Sequence, residues 1–512
     1  MGKGDHVTGG EAPSAPRRSP HAAGRDQAIR KTSGGAKELD GAGRFGGLNL
    51  VGLVAVVLGA LPFLTLLALV EQRWPPLREL DTAVAQGLND LIAPHPVAVQ
   101  ALGIASEAGG GATAGFIMAL AVLWLLIRRQ RRLAAYGAVT GIGLGVLVPI
   151  SKALIGRSRP EVPLRVVELP TNASFPSGHA MASVVVWGAL ALVGLSALPP
   201  WRRRLLLKAA ALLVAIVGFT RLALGVHFVS DVLAGWALGT AWLAVTTAAF
   251  RRWLRYRHDS ITPVGLGERP SLGMRIAPRD EAALPDGARS AARIALAGVG
   301  TLLLVIGLGL LVTGPLAETA VGRWDRQVVQ TALTLRSPEL TEVVDAISML
   351  GGLWAIVATT VAVAVLANAY RGSWRPVLFV LAAVAGEVLI YAVASEVISR
   401  ARPDVQDLTA GLPAAASYPS GHVAATTAAY GALCVLLLSY FRGSWQWAVV
   451  GVVVLLIAAT MASRIYLAAH YPTDTLAGLL LGLLWLSGLR HHLRVTRAEA
   501  PEMPKTRVGG AS

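Results

Sequence analysis

Charge and cysteine are the scarcest features of this 512-residue chain. Only 15% of its residues are charged, whereas 54% are hydrophobic and the mean hydropathy is +0.57. This balance excludes an ordinary soluble globular protein and indicates a polytopic membrane protein. The one cysteine, Cys434, lies in an apolar segment, so a disulfide within the chain is excluded.

Acidic residues are few as well, with 30 Asp and Glu against 46 Lys and Arg and a net charge of +16. Nucleic-acid-binding proteins share such an excess, but here the basic residues form short clusters between apolar spans. Clusters of this kind mark cytoplasmic loops, so we expect no nucleic-acid partner. The clusters of the first half are Arg128–Arg132, Arg202–Arg204 and Arg251–Arg257, and their candidate counterparts are Arg371 and Arg375, Arg442, and Arg490–Arg494.

The apolar spans form two similar sets. They predict an all-α polytopic membrane protein with two tandem bundles of six transmembrane helices, about twelve spans in total. Each set has an even number of spans, so the bundles should be parallel, with both termini and the linker cytoplasmic. The predicted segments are a disordered basic tail (1–45), a first six-span domain (46–258), a cytoplasmic linker (259–290), a second six-span domain (291–495) and a disordered C-terminal tail (496–512).

A repeated constellation of ionisable residues identifies the duplication. Arg221, His227 and Asp231 lie within apolar sequence, where an ionisable side chain costs roughly 2.5–3.5 kcal/mol at mid-membrane. Each recurs 243 residues later, so the halves are in register from the third span through the sixth. The corresponding pairs are Arg159 and Arg402, His179 and His422, Arg221 and Arg464, His227 and His470, and Asp231 and Asp474.

The polar groups opposite the basic clusters have the composition of a phosphate site. In the first half they are Lys152, Arg159, Ser177, Gly178, His179, Arg221, His227 and Asp231. Three cations and a glycine-containing turn at a helix start suit a multiply charged phosphoryl group, which binds Arg, Lys and free backbone N–H groups. His227 and Asp231 are four residues apart and share a helix face, so the carboxylate can orient the imidazole.

Other interpretations fit parts of the constellation. The His–Asp pair could be structural, and the cations could reach toward lipid headgroups, but the repetition of the whole set favours a functional site. Two histidines supply a nucleophile and a proton donor, the minimum for covalent phosphoryl transfer without a metal. A metal site is disfavoured because the cations would repel a divalent ion and one carboxylate alone lies beside the histidines. We expect no metal and no cofactor.

Three motifs carry a resemblance to a known family. They are Lys152 to Pro160, then Pro176-Ser177-Gly178-His179, then Arg221 with His227 and Asp231. This pattern resembles the three-part signature of the type 2 phosphatidic acid phosphatase superfamily, which includes membrane lipid phosphate phosphatases, undecaprenyl pyrophosphate phosphatases and soluble vanadium haloperoxidases. Six spans per unit match the membrane branch and disfavour a haloperoxidase. The Ser usual before the third-motif Arg is Thr220 here, whereas the second half has Ser463.

The resemblance implies a role for each site residue. His227 would attack phosphorus and form a phosphohistidine, with Asp231 holding its tautomer, and His179 would protonate the leaving group and then activate water. The phosphoryl oxygens would be held by Lys152, Arg159, Ser177, Gly178 and Arg221. The corresponding residues of the second half are His470, Asp474 and His422 for catalysis and Arg402, Ser420, Gly421 and Arg464 for phosphate binding.

The second half departs from the signature at one position. Position 395, which is 243 residues after Lys152, should also be Lys. The chain instead has Ser395, followed by Glu396. This site therefore keeps both histidines but lacks one phosphate cation. In the same span, Glu387 stands where the first half has Leu144, and we expect such an acid to face protein rather than lipid.

These features predict an integral membrane phosphatase in the cell membrane that acts on a lipid phosphate or lipid pyrophosphate, with its active sites on the extracytoplasmic face. Phosphotransfer to another hydroxyl would use the same phosphohistidine and stays open as an alternative. A phospholipid transporter or flippase would also suit twelve spans and a duplication, but it does not need two complete histidine pairs at the membrane rim.

Overall fold

The computed structural model describes residues 56–195, 197–256, 276–277, 281–282, 284–405 and 417–493. Sixteen α-helices and no β-strand occur among these residues, so the predicted all-α class is confirmed. The predicted tails, 1–45 and 496–512, and most of the 259–290 linker lie outside the described residues.

Each half contributes eight of the helices. Those of the first half are α1 (Leu61–Glu71), α2 (Pro75–Ile92), α3 (Pro96–Ser106), α4 (Gly111–Ile127), α5 (Arg131–Ile155), α6 (Gly178–Leu195), α7 (Pro200–Ala223) and α8 (Val229–Tyr256). Those of the second half are α9 (Ala288–Thr313), α10 (Ala320–Thr334), α11 (Pro338–Met349), α12 (Leu353–Arg371), α13 (Arg375–Val397), α14 (Gly421–Tyr440), α15 (Gln446–Tyr466) and α16 (Pro472–Leu493).

Ten of the described helices are long and apolar enough to cross a bilayer, and two bent pairs raise the total to twelve if each pair counts as one span. The number agrees with the predicted twelve. One bent pair, Val57–Glu71 with Pro75–Ile92, turns by 93°. Pro75 and Pro76 at the start of α2 cannot continue the hydrogen-bond ladder of α1, which explains a break at this point.

Helix α2 is more polar than the neighbouring helices, and it buries one polar face. Asp81, Ala85 and Asn89 are its buried residues, and their spacing of four puts them in one stripe. Helix α10 likewise buries Asp325. Because Asp81 and Asp325 are 0% and 1% exposed, each carboxylate needs a cation or hydrogen-bond donors within the protein.

Helix α8 lies directly against the turn that precedes α6. A Cβ atom at Gly235 of α8 would lie 2.5 Å from the carbonyl oxygen of Ser177, so glycine is required for this approach. The backbone N–H of Ser177 donates to the carbonyl oxygen of Asp231 at 2.9 Å, and this hydrogen bond connects the N-terminus of α6 to that of α8. The second half repeats both contacts, and the corresponding residues are Gly478, Ser420 and Asp474.

The residues of the first constellation fall in one compact unit and those of the second in another. In the second unit, α13, α14 and α16 pack around a core that includes Phe379 and Leu481. Glu387 of α13 is 1% exposed there, and within the described residues its Oε2 atom has no hydrogen-bond partner. The prediction that Glu387 faces protein rather than lipid is confirmed.

Candidate active site

The predicted residues of the first half meet where several helices begin or end. Lys152 lies in the last turn of α5, Arg221 in the last turn of α7 and Asp231 in the first turn of α8. Ser177 precedes α6, which begins with Gly178 and His179, and His227 lies in the loop between α7 and α8. His179 is within electrostatic range of Lys152, Arg159, Arg221 and His227, so the structure brings the separate motifs together.

His227 is 2% exposed and is oriented by a buried carboxylate. Its Nδ1 atom lies 3.4 Å from Oδ2 of Asp231, and the same oxygen accepts hydrogen bonds from the Ser174 hydroxyl at 2.5 Å and the Phe228 N–H at 2.9 Å. An ionised carboxylate only accepts, so this geometry assigns the proton to Nδ1 and leaves the lone pair on Nε2.

The environment of His227 also keeps its ring neutral. Burial lowers the pKa of His227 to about 4, although the hydrogen bond and the charge of Asp231 act in the opposite direction. At neutral pH the imidazole is therefore uncharged, as a nucleophile must be. Its Nε2 atom lies 3.4 Å from Nη1 of Arg159, so the lone pair of the ring faces a guanidinium group.

Lys152 and Arg159 converge on a single acceptor. Oδ1 of Asn172 accepts from Lys152 Nζ at 3.1 Å and from Arg159 Nη2 at 2.7 Å. Arg159 also donates to the carbonyl oxygen of Val226 at 2.8 Å, which holds it beside His227. Two cations that share one neutral oxygen can share a phosphoryl oxygen in the same way, with a stronger charge-assisted bond.

Arg221 and the start of α6 supply further donors. The Nη1 group of Arg221 donates to the Ser106 hydroxyl at 2.6 Å, while its buried Nε has no partner in the described part of the chain. The backbone N–H groups of Gly178 and His179 open the 18-residue α6 and bond to no acceptor among the described residues. Free N–H groups at a helix N-terminus form an anion site.

Asp231 has a further partner, Arg157, which was not among the predicted site residues. One guanidinium nitrogen of Arg157 donates to Asp231 Oδ1 at 2.6 Å and the other to Asp81 Oδ2 at 2.8 Å. Asp81 also accepts from the N–H and hydroxyl of Ser230, at 3.0 and 2.5 Å. Helix α2 is thereby connected to the carboxylate that orients His227.

The second half builds the same site with a different contact at its histidine. Nδ1 of His470 lies 2.6 Å from the carbonyl oxygen of Ser417 and 3.9 Å from Asp474 Oδ2. A carbonyl oxygen can only accept, so Nδ1 carries the proton and Nε2 is again free. Burial lowers the pKa of His470 well below its usual value. His422 is within electrostatic range of Arg402 and Arg464.

The supporting contacts of the second site follow those of the first. Arg400 bridges Asp474 at 2.5 Å and Asp325 at 2.8 Å, and Asp474 Oδ2 accepts from the Ser417 hydroxyl at 2.6 Å. Arg464 donates to the Ser348 hydroxyl at 2.8 Å. The internal repeat was the available sequence signal for these residues, because Arg157 and Arg400, and Ser174 and Ser417, are separated by the same 243 positions as the predicted pairs.

No group of three His, Cys, Asp or Glu side chains in the described part of the chain is arranged to hold a metal ion. Each described site instead combines two histidines and several cations with two buried carboxylates that an arginine bridges, and the cations suit an anionic ligand.

Comparison with known proteins gives consistent matches in both halves. The family model described as "PAP2 superfamily" matches residues 132–255 and 375–496. Phosphatidylglycerophosphatase B of Bacillus subtilis (strain 168) is 28% identical over 180 residues, which are 34% of this chain and 86% of that protein.

Two further relatives are matched over less of their length. An undecaprenyl-diphosphatase of Sulfolobus acidocaldarius is 34% identical over 126 residues, 24% of this chain and 57% of that protein. A decaprenylphosphoryl-5-phosphoribose phosphatase of Mycobacterium tuberculosis is 35% identical over 127 residues, 24% of this chain and 64% of that protein. Both family matches include a histidine pair with its aspartate, and apolar helices flank these residues; the chain is a multi-pass membrane protein whose two halves, over residues 132–255 and 375–496, belong to the PAP2 superfamily.

Proposed function

We propose that this protein is an integral membrane phosphatase that hydrolyses a lipid phosphate or a lipid pyrophosphate. The observation that carries the proposal is the neutral, buried His227, whose free Nε2 faces Arg159 beside Lys152 and the N-terminus of α6. The three relatives support the substrate class, because each is named for a phosphatase activity on a lipid-linked phosphate.

In the proposed mechanism, Nε2 of His227 attacks phosphorus, and an N–P bond forms as the P–O bond to the leaving group breaks. His179 donates a proton to the leaving oxygen. A water molecule then loses a proton to His179 and attacks phosphorus, which breaks the N–P bond and releases phosphate. Asp231 stabilises the charged histidine, while Lys152, Arg159 and the α6 N–H groups stabilise the transition state.

The defining experiment is phosphate release by the purified full-length protein from a panel of isoprenoid and glycerolipid phosphates and pyrophosphates. Release from at least one lipid class is expected, and no release from the whole panel would contradict the proposal. The phosphotransfer alternative is separated by adding a lipid alcohol: labelled phosphate that appears in the alcohol rather than in water would establish a transferase.

We expect turnover to need no divalent metal. Lys152, Arg159 and Arg221 supply the charge neutralisation that magnesium provides in other phosphoryl transfers. Activity should persist in excess chelator and should be inhibited by vanadate, which adopts the trigonal-bipyramidal geometry of the transition state. Activity that is lost in chelator and restored by magnesium or zinc would contradict the roles assigned to these cations.

We further propose that the domains are 46–258 and 291–495, with the 259–290 linker in the cytoplasm and both active sites on the opposite face. The test is a Ser271→Cys substitution in a chain whose native cysteine is removed by Cys434→Ala. Impermeant thiol reagents should label this cysteine after the membrane is permeabilised but not in intact cells. Equal labelling in intact cells would reverse the orientation and move both active sites to the cytoplasmic face.

A further inference from the structure

The second site contains an aromatic side chain at its phosphate-binding turn. Tyr391 of α13 is half-buried and packs against the core of the second unit. Its ring lies so close to Gly421 that a Cβ atom there would be 3.0 Å from both Cε2 and Cζ of the tyrosine. The phenol hydroxyl, attached to Cζ, is therefore next to the start of α14.

In the first site, the space beside the corresponding glycine is occupied by a lysine and a small apolar side chain. The residue that corresponds to Tyr391 is Val148, and a Cβ atom at Gly178 would lie 3.1 Å from its Cγ1 and 3.7 Å from Cε of Lys152. The side chain of Lys152 thus passes over the glycine of the turn. In the second site, the ring of Tyr391 fills the corresponding space.

The serine that replaces the lysine does not take over its role. The hydroxyl of Ser395 donates to the carbonyl oxygen of Ala392, one turn earlier in its own helix, at 3.1 Å. The hydroxyl of Tyr391, by contrast, bonds to no acceptor or donor within the described residues. The second turn therefore has a neutral hydrogen-bond donor where the first has an ammonium group.

We propose that Tyr391 replaces Lys152 as the group that meets the phosphoryl oxygens in the second site, and that this site binds a singly charged lipid phosphodiester in preference to a dianionic phosphomonoester. With one cation fewer, Arg402 and Arg464 balance a smaller anionic charge. The phenol can still donate to a non-bridging oxygen, and its ring offers an apolar surface to the second ester group. This assignment rests on the proposed use of the site for lipid phosphates.

The test compares two short-chain lipids that differ by one methyl group on phosphate. Dihexanoyl phosphatidic acid is largely a dianion at mildly alkaline pH, whereas dihexanoyl phosphatidylmethanol carries a single charge. Binding is measured by calorimetry on the full chain in detergent, with the first site disabled by Arg159→Ala and His227→Ala. This background should bind the diester more tightly than the monoester.

Tyr391→Val with Ser395→Lys, which installs the residues of the first half, should shift the affinity ratio toward the monoester by about tenfold or more. Ser395→Lys alone should shift it little, because Tyr391 still fills the space. Tyr391→Phe, which removes one oxygen and keeps the packing, should weaken diester binding by about fivefold or more, because the hydrogen bond to a non-bridging oxygen is lost. This variant decides the question if the double variant does not fold.

The matched control is the reverse exchange in the first site. With the second site disabled by Arg402→Ala and His470→Ala, Val148→Tyr with Lys152→Ser should move the preference toward the diester. An unchanged ratio in Tyr391→Val with Ser395→Lys, unchanged diester affinity in Tyr391→Phe, a full shift from Ser395→Lys alone, or a background that binds neither lipid would overturn the assignment. If the wild-type chain releases phosphate from no lipid but the ratios shift as expected, the phosphatase proposal fails and the role of Tyr391 stands.

Discussion

Replacing His227 with alanine is expected to lower phosphate release from a lipid phosphomonoester by about 10²–10³-fold, whereas replacing His470 should leave most of the activity. His227→Ala removes the proposed nucleophile of the first site, so the phosphate release that remains is catalysed by the second site. The second site has Ser395 where the first has Lys152, and one missing preorganised cation accounts for a rate difference of this size. The measurement is kcat/KM for each variant on the same lipid.

Three controls give this result a single interpretation. The double variant His227→Ala with His470→Ala should be inactive, and His95→Ala, at an exposed position, should behave as wild type. Rapid quenching should trap an acid-labile phosphoenzyme whose amount falls in His227→Ala. Greater damage from His470→Ala than from His227→Ala would mean that the second site is the principal catalyst for that substrate.

Sequence spacing could identify the proposed catalytic pairs because their geometry is local. Asp231 lies in the first turn of α8 and His227 lies two residues before that helix, so the predicted common helix face is wrong, but the spacing of four residues still keeps the imidazole and the carboxylate close together. Lys152 and Arg159 are also near in sequence, although their convergence on Asn172 depends on the loop before α6. The internal repeat then supplied the second site without any knowledge of the fold.

Contacts that depend on tertiary folding could not be predicted in this way. Asp81 reaches Arg157 because the chain turns by 93° between α1 and α2, and no sequence motif connects this stretch with the site. Ser106, which holds Arg221, is 115 residues away from it. The position of Tyr391 over Gly421 likewise depends on how closely α13 approaches α14. A linear pattern carries no information on these approaches.

Arg157→Ala is expected to affect both stability and turnover. Asp81 and Asp231 are each 0% exposed, and this substitution leaves both carboxylates without the cation that bridges them. Removing one partner from a buried ion pair typically costs about 3–5 kcal/mol, so the thermal unfolding temperature in detergent should fall clearly. Because Asp231 also loses the contact that fixes Oδ1, kcat should fall by about 10–100-fold, the usual effect of removing a group that orients an active-site ligand.

The split between kcat and KM distinguishes this positioning role from direct substrate binding. Arg157 donates to two carboxylates and its guanidinium lies 4.3 Å from the ring centroid of Phe228, so it is committed to protein contacts and KM should change little. Asp81→Asn keeps the bond between Arg157 and Asp231 and should therefore lower stability more than turnover. Arg78→Ala, on the exposed face of the same helix α2, is the matched control and should alter neither quantity. If Arg157→Ala instead raised KM with kcat unchanged, Arg157 would be a phosphate-binding residue, and α2 would have no influence on the orientation of His227.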